Sequence, residues 1–310
     1  MSIVVIGDVF VDIKGFPEDT YMPTGRNVGR VEYVHGGVAR NVVEDIANME
    51  LRPTYIGIVD DTPMGNAVLT KLKKHKVNCD YVLTCPDGMG LWLAVFDNTG
   101  DVAGSISKRP DAYPMVELLD TKGDEIFSKA DSVVLQVDLH KDIVKRVFDL
   151  ADKYNIKTYA LVSNMSIAAE RRDFLQKFDC FICNREEAGL LFLDDYTNTG
   201  HEELQDILAD KIKRANINSM VVTLGKDGAV YASRDGLKGY CPARRVAVKD
   251  TTGAGDAFCA GVASGLTYGK TLPESVEIGT HLAASVITSA ENVCPRFRPE
   301  ELGIQFPEDA

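Results

Sequence analysis

The stretch Asp250 to Phe258, DTTGAGDAF, holds the residue types best suited to chemistry in this chain. It lies between a Val-bearing run (Val246, Val248) and a small, apolar segment from Ala257 to Leu266. The pattern predicts a strand, a glycine turn and a helix start. A helix start offers unpaired N–H groups and the positive end of a dipole, which suits an anion such as phosphate. Gly253 and Gly255 let the backbone approach a ligand closely, and Ala254 between them adds little bulk. Asp256 is then a carboxylate at the mouth of an anion site, an odd place unless it handles a proton. A plain glycine turn capped by an Asp is the competing reading, and spacing alone does not separate the two.

Other polar residues fall where ligands collect. In open α/β sheets that place is the carboxyl ends of the strands. Asp12 follows the first strand, Ser2 to Ile6, and reads as a ligand contact or a turn residue. Asp138 stands at the end of the strand Ser132 to Leu135. In HGGVARNVVEDIANM, Gly36 and Gly37 make a flexible entry to a helix on which Val38, Val42, Ile46 and Met49 fall at helical spacing. Asn41 lies early on that helix, as a capping group or with a ligand to hold. Arg40, if structural, would pair with Glu44 four residues on.

Asn184 and Glu187 are three apart at a helix start, so both can face one site and suit a water-bound Mg²⁺. Acids drawn there by the helix dipole are the alternative. TLGKDG, Thr223 to Gly228 with Gly225 inside it, is a tight glycine loop after a strand and a plausible nucleotide edge.

The elements that must position these residues alternate. Strands are expected at Tyr55 to Val59, Tyr81 to Leu83, Leu91 to Phe96, Thr158 to Val162, Cys180 to Cys183, Met220 to Leu224 and Ala229 to Ala232. Helices are expected at Gly65 to Lys74, Lys141 to Tyr154, Ala168 to Lys177, His201 to Ala215 and Leu272 to Ser289. Such alternation argues for a doubly wound sheet. Two segments break it. Ile13 to His35 reads as irregular apart from a short strand at Val31 to Val34, and Gly88 to Gly104 forms the second. Together they could build a small β flap over the strand ends.

The bulk numbers bound the function. A chain of 310 residues allows one large α/β domain or two small ones. A net charge of −12 argues against a nucleic-acid surface but not against a small anion held locally. The 7 cysteines are scattered and odd in number, which favours a reducing compartment and hence the cytoplasm. Cys180 and Cys183 sit in an apolar run, read as a buried strand rather than a metal site. The N-terminus has no targeting signal, and no apolar run reaches the ~18 residues that span a bilayer. GLTYGKT, Gly265 to Thr271, is one residue short of a phosphate-loop motif and follows a helix. No G-x-G-x-x-G follows the first strand, which disfavours a dinucleotide-binding oxidoreductase.

These pieces resemble the ribokinase-like (PfkB) carbohydrate kinase family over nearly the whole chain. DTTGAGDAF is similar to its C-terminal signature, Gly36-Gly37 with Asn41 to its N-terminal one, Asn184 to Glu187 to its N-x-x-E motif, and Thr223 to Gly228 to its nucleotide loop. The resemblance implies one kinase domain over 1–310, with a doubly wound, mostly parallel sheet between helices and a β lid at about 13–35 and 88–110. It implies an ATP-dependent kinase acting on a primary hydroxyl. Asp256 would be the base, and Gly253, Ala254 and Gly255 the anion hole. Asp12, Gly37, Asn41 and Asp138 would hold the substrate. Asn184, Thr223, Gly225 and Gly228 would meet the nucleotide, and Asn184 with Glu187 would order the water shell of Mg²⁺. Asp250 and Thr252 match a site where many relatives bind a monovalent cation such as K⁺. The lid would also supply a homodimer contact.

Within the family, Asn27 to Asn41 is most similar to pseudouridine kinases, with Asn27 and Arg40 then reading the base and pseudouridine 5'-phosphate as product. SISKRPD, Ser105 to Asp111, departs from that subgroup. A ribokinase- or fructokinase-like sugar kinase, another nucleoside kinase, and a non-catalytic nucleotide or sugar sensor on the same fold stay open.

Overall fold

The computed structural model describes residues 1–304; 305–310, included in the expected domain, lie outside the described residues. The described residues build two sheets. Their strands, in chain order, are β1 (Ile3–Ile6), β2 (Phe10–Pro17), β3 (Gly29–Gly36), β4 (Thr54–Val59), β5 (Val82–Thr84), β6 (Gly90–Phe96), β7 (Val102–Lys108), β8 (Ser132–Gln136), β9 (Lys157–Leu161), β10 (Cys180–Asn184), β11 (Ser219–Thr223), β12 (Ala229–Ser233) and β13 (Lys238–Cys241). The large sheet runs β13-β12-β11-β10-β9-β8-β1-β4-β5. It is parallel from β11 to β5, and only β12 and β13 are antiparallel. The doubly wound fold is as expected.

β1 shows why its strands are continuous apolar runs. Val4 and Ile6 pack into the core on one face, and Ile3 and Val5 into the core on the other. A parallel strand covered by helices on both sides has no solvent face. β1 also sits where the strand order reverses, so its end at Gly7 and Asp8 opens on the crevice where such folds bind ligands.

The second sheet runs β3-β2-β6-β7. It draws on both segments that break the alternation, but they are more regular than expected. Ile13 to Pro17 belongs to β2, and the pairing of β2 with β3 runs from Phe10–Gly36 to Pro17–Gly29. Pro17 sits at the end of β2, where its missing N–H costs no interior ladder bond. β7, in the stretch that departs from the pseudouridine subgroup, is the exposed edge of this sheet.

Other expectations are corrected. Val246 and Val248 are not in a strand; they lie on an irregular segment, 39% and 59% exposed. The helix after the glycine turn begins earlier, at Ala254, and runs to Thr267. A helix at Pro114–Phe127 was not foreseen. Ala168 to Lys177 is not one helix: short helices Met165–Ala169 and Arg172–Leu175 take its place. The last long helix ends at Ile287. All seven cysteines are free. Among the described residues no helix is long and apolar enough to cross a membrane.

Candidate active site

The chemistry-bearing loop is a helix start of unusual build. Gly253 is the N-cap of the helix Ala254–Thr267, with φ of 82° in the left-handed region. A Cβ there would lie 2.1 Å from the carbonyl oxygen of Asn292, so only glycine lets the two segments meet. The turn places Asp256 in the first helical turn. Its Oδ2 accepts a hydrogen bond of 2.6 Å from Asn41 Nδ2. Asn41 is itself oriented: its Oδ1 accepts from Asn292 Nδ2 at 3.2 Å, and Asn292 also donates to the His35 carbonyl at 3.1 Å. Asn292 follows the last long helix and carried no sequence signal.

Burial pushes the Asp256 carboxyl up to about 6, against the Asn41 hydrogen bond and the Arg40 charge, which pull it down. A group of that affinity is mostly ionised at neutral pH yet close enough to neutrality to accept and release a proton.

Asn41 comes from the helix Val38–Asn48, whose N-cap is Gly37 at φ 93°. The Asp12 carboxylate sits directly over Gly36, where an added Cβ would lie 2.7 Å from Oδ1. Burial raises the Asp12 carboxyl. Asp12, Gly37, Asn41, Gly253 and Asp256 border one cavity of about 480 Å³, with Phe10, Trp92, Ser107 and Arg109 contributed by the lid sheet or its end. On the far side of the glycine loop lies a second cavity, about 460 Å³. Thr223, Gly225, Gly228, Ala254, Gly255 and Val246 line it. The loop Thr251 to Asp256 is thus a shared wall: Thr252, Gly253 and Asp256 face one cavity, Thr251, Ala254 and Gly255 the other. A cleft of about 680 Å³ near Glu44, Lys71 and Arg296 is larger, but it shares no lining residue with either.

Not every expected residue joins the site. Arg40 is a correction: it is 1% exposed and ion-paired with buried Glu44 at 2.7 Å, and it donates to the His35 and Gly36 carbonyls. That is the helical pairing offered as its alternative, and it leaves no guanidinium face for a base. Asn27 is exposed and closes its own loop through Met22 and Gly25, so it too is outside the cavity. Asp138 is buried beneath the cavity rather than on its wall, and holds Arg109 at 2.8 Å.

Asn184 and Glu187 form a capping box, each side chain accepting the other's backbone N–H at 2.8 Å. Glu187 is nonetheless close enough to Asp256 for their charges to be felt, and burial raises its carboxyl. Asp250 Oδ1 accepts from Thr252 N at 2.8 Å, which helps hold its carboxyl below the usual range. Among the described residues no group of three or more His, Cys, Asp or Glu could hold a metal by itself. Mg²⁺ that arrives on a nucleotide and keeps most of its waters needs no such cage, and Asn184 and Glu187 would be the residues to hold its water shell.

Known proteins resemble the chain as a whole. The model for the pfkB family carbohydrate kinases matches residues 1–293. A guanosine-inosine kinase of Exiguobacterium acetylicum is 36% identical over 293 residues, 94% of this chain and 96% of that protein. A pseudouridine kinase of Escherichia coli (strain K12) is 24% identical over 275 residues, 88% of this chain and 86% of that one. In fold, a ribokinase of Arabidopsis thaliana solved with ribose and ATP superposes with a TM-score of 0.82 at 19% identity, covering 98% of this chain and 99% of that one. A wall of backbone amides between two cavities, with one carboxylate beside it, is what moving a phosphoryl group to a hydroxyl requires, and the chain belongs to the pfkB family of carbohydrate kinases, phosphotransferases with a hydroxyl acceptor.

Proposed function

We propose that the protein transfers the γ-phosphoryl group of ATP to the primary hydroxyl of a purine nucleoside, with guanosine and inosine as acceptors. The observation that carries the reading is the shared wall. A nucleotide in the cavity behind Ala254 and Gly255 would present its terminal phosphate at the helix start, and a sugar held by Asp12 and Asn41 would present its hydroxyl to Asp256.

Asp256 then takes the hydroxyl proton as the oxygen attacks. The Gly253 to Asp256 amides and the helix dipole stabilise the charge on the moving group. Asn184 and Glu187 would hold the hydrated Mg²⁺, whose chemistry is to neutralise the phosphates. Asp250 and Thr252 would hold a monovalent cation beside the loop.

The acceptor reading rests on two supports. The cavity, of about 480 Å³, extends from Asp12 and Asn41 to the aromatic side chains of Phe10 and Trp92, which suit a base. The relative with 36% identity is named for purine nucleosides. Pseudouridine is the second reading, favoured by the Asn27 to Asn41 run, but Asn27 and Arg40 are engaged locally, which removes its specific warrant. Self-association through the lid has a support of its own: Val31, Tyr33, Leu93 and Ile106 of that sheet are exposed. Sedimentation velocity would test it.

ADP release measured over guanosine, inosine, adenosine, pseudouridine and ribose tests the reading. Turnover highest on guanosine and inosine is expected. Turnover confined to pseudouridine or to ribose would replace the acceptor and leave the kinase in place.

A further inference from the structure

The lid's underside lays out a line of side chains. Asp12 on β2 pairs in register with Trp92 on β6, and Trp92 pairs with Ser107 on β7. All three border the acceptor cavity, as does Arg109, two residues beyond Ser107. Adjacent strands lie about 4.8 Å apart, so the Ser107 backbone stands roughly 10 Å from that of Asp12, and Arg109 follows two residues on, just past the end of β7. A ligand whose ribose hydroxyls lie at Asp12 therefore extends past Trp92 and ends at Arg109.

Arg109 is not a loose surface cation. Its Nη2 donates to Asp138 Oδ2 at 2.8 Å, and its side chain stays 36% exposed. Asp138 is fully buried and anchored: Oδ1 accepts from Ser163 N at 3.0 Å, and Gln136 Nε2 approaches Oδ2 at 3.3 Å. Gln136 also reaches Asp8 at 3.3 Å. Asp138 thus takes Nη2 on its carboxylate and Nη1 on its carbonyl at 3.4 Å, and Arg109 still borders the cavity with three N–H groups unengaged by Asp138. A guanidinium has five donors and no acceptor.

On the reading that the acceptor is a purine nucleoside, we infer that Arg109, held by Asp138, selects 6-oxopurines by donating to the O6 and N7 edge of the base. Guanine and hypoxanthine present two acceptors there. Adenine presents one acceptor beside an amino donor, which would face the guanidinium donor to donor. Arg on that edge of guanine is the commonest specific side-chain contact with the base in nucleic-acid complexes. Asp138 is a positioning residue, and Arg109 determines specificity without touching the reacting oxygen.

The test compares kcat/KM for inosine and adenosine in the wild-type and Arg109→Lys proteins, with 7-deazainosine as a ligand-side probe that needs no mutation. A good bidentate contact discriminates by roughly ten- to a hundredfold. The wild type should favour inosine over adenosine by about that factor and lose several-fold on 7-deazainosine. Lys keeps a charge beside Asp138 but not the fork. Arg109→Lys should therefore shrink the inosine-to-adenosine ratio at least several-fold, mainly through KM. Arg109→Gln, with folding checked by thermal melt, should shrink it further. Equal rates on both nucleosides in the wild type, or a ratio unchanged in a folded Arg109→Lys protein, would overturn the inference while leaving the nucleoside kinase intact. No turnover of any purine nucleoside would remove the acceptor reading and the inference together.

Discussion

Asn41 Nδ2 lies 2.6 Å from Asp256 Oδ2, although 215 residues separate the two. The bond joins the glycine entry of one helix to the glycine start of another. Its direction is fixed, because Asn292 occupies the Asn41 oxygen and leaves the amide nitrogen for the carboxylate. A donor to the charged form favours that form, so Asn41 favours ionised Asp256 against the effect of burial.

The pH profile follows from this pair. The base works deprotonated, and its carboxyl sits at about 6. The rate should climb as pH rises through about 6 and then level off. Removing the donor with Asn41→Ala takes away a lowering influence, so the inflection in kcat should move to higher pH. A kcat profile from pH 5 to 9 reads it directly. An unmoved inflection would mean that another group limits the rate.

Asp256→Asn should lower kcat by about 10²–10⁴, the usual contribution of a positioned base. The amide keeps the shape and can still accept from Asn41. ADP binding by calorimetry should persist, since Asp256 borders the other cavity. Near wild-type turnover would remove Asp256 from the role of base.

The glycine loop, the parallel strands and the places of Asn41 and Asp256 early in their helices were legible because each rests on local pattern. A buried parallel strand is an unbroken apolar run, and a ligand loop needs glycine. What was not legible depends on contacts between distant segments. Arg109 meets Asp138 across 29 residues, and Asn292 meets Asn41 across 251, with no periodicity to mark either. Val246 and Val248 were misread as a strand because an apolar cavity wall and an apolar strand look alike in sequence. The helix Pro114–Phe127 was not foreseen; Gly123 within it lies under Leu150, where a Cβ would stand 2.5 Å from a methyl. Arg40 shows the converse. Its place in the Asn27 to Asn41 run suggested a base contact, with pairing to Glu44 as the alternative, and its burial against Glu44 decides for the pairing.

Asp8 should make stability depend on pH. Burial and the Asp138 charge raise its carboxyl to about 7 from an ordinary 3.8. Between those values the folded state binds more protons than the unfolded one, so stability falls as pH rises through the window. Asp8→Asn removes the charge that must be buried. The variant should therefore gain Tm relative to the wild type at pH 8, with the gain shrinking toward pH 4. A gain that is constant across that range would assign the effect to packing instead.

Glu187→Gln separates charge from capping. Gln can still accept the Asn184 N–H in the capping box, so the helix start should survive. What is lost is a carboxylate near the phosphate site. The Mg²⁺ concentration for half-maximal rate should rise several-fold with Tm nearly unchanged. Unaltered Mg²⁺ dependence would leave Glu187 as a capping residue only.

The two glycines of the loop should answer differently, and the difference tests the shared wall. Gly253 carries a left-handed φ of 82°, and a Cβ on it would meet the Asn292 backbone at 2.1 Å. Backbone cannot swing aside as a long side chain can. Gly253→Ala should then lose Tm together with activity, and activity alone cannot be blamed on a blocked phosphate. Gly255 has no such conflict: nothing lies within 4 Å of its added Cβ, and its backbone is helical. Ala is favoured over Gly inside a helix by roughly 0.5–1 kcal/mol, so Gly255→Ala should hold or raise Tm. Yet Gly255 borders the cavity assigned to the nucleotide, and the new methyl would stand where its phosphates approach the helix start. The KM for ATP should therefore rise in a protein at least as stable as the wild type, while the KM for the nucleoside moves little. A Gly255→Ala protein with unchanged KM for ATP would show that the second cavity does not hold the phosphates.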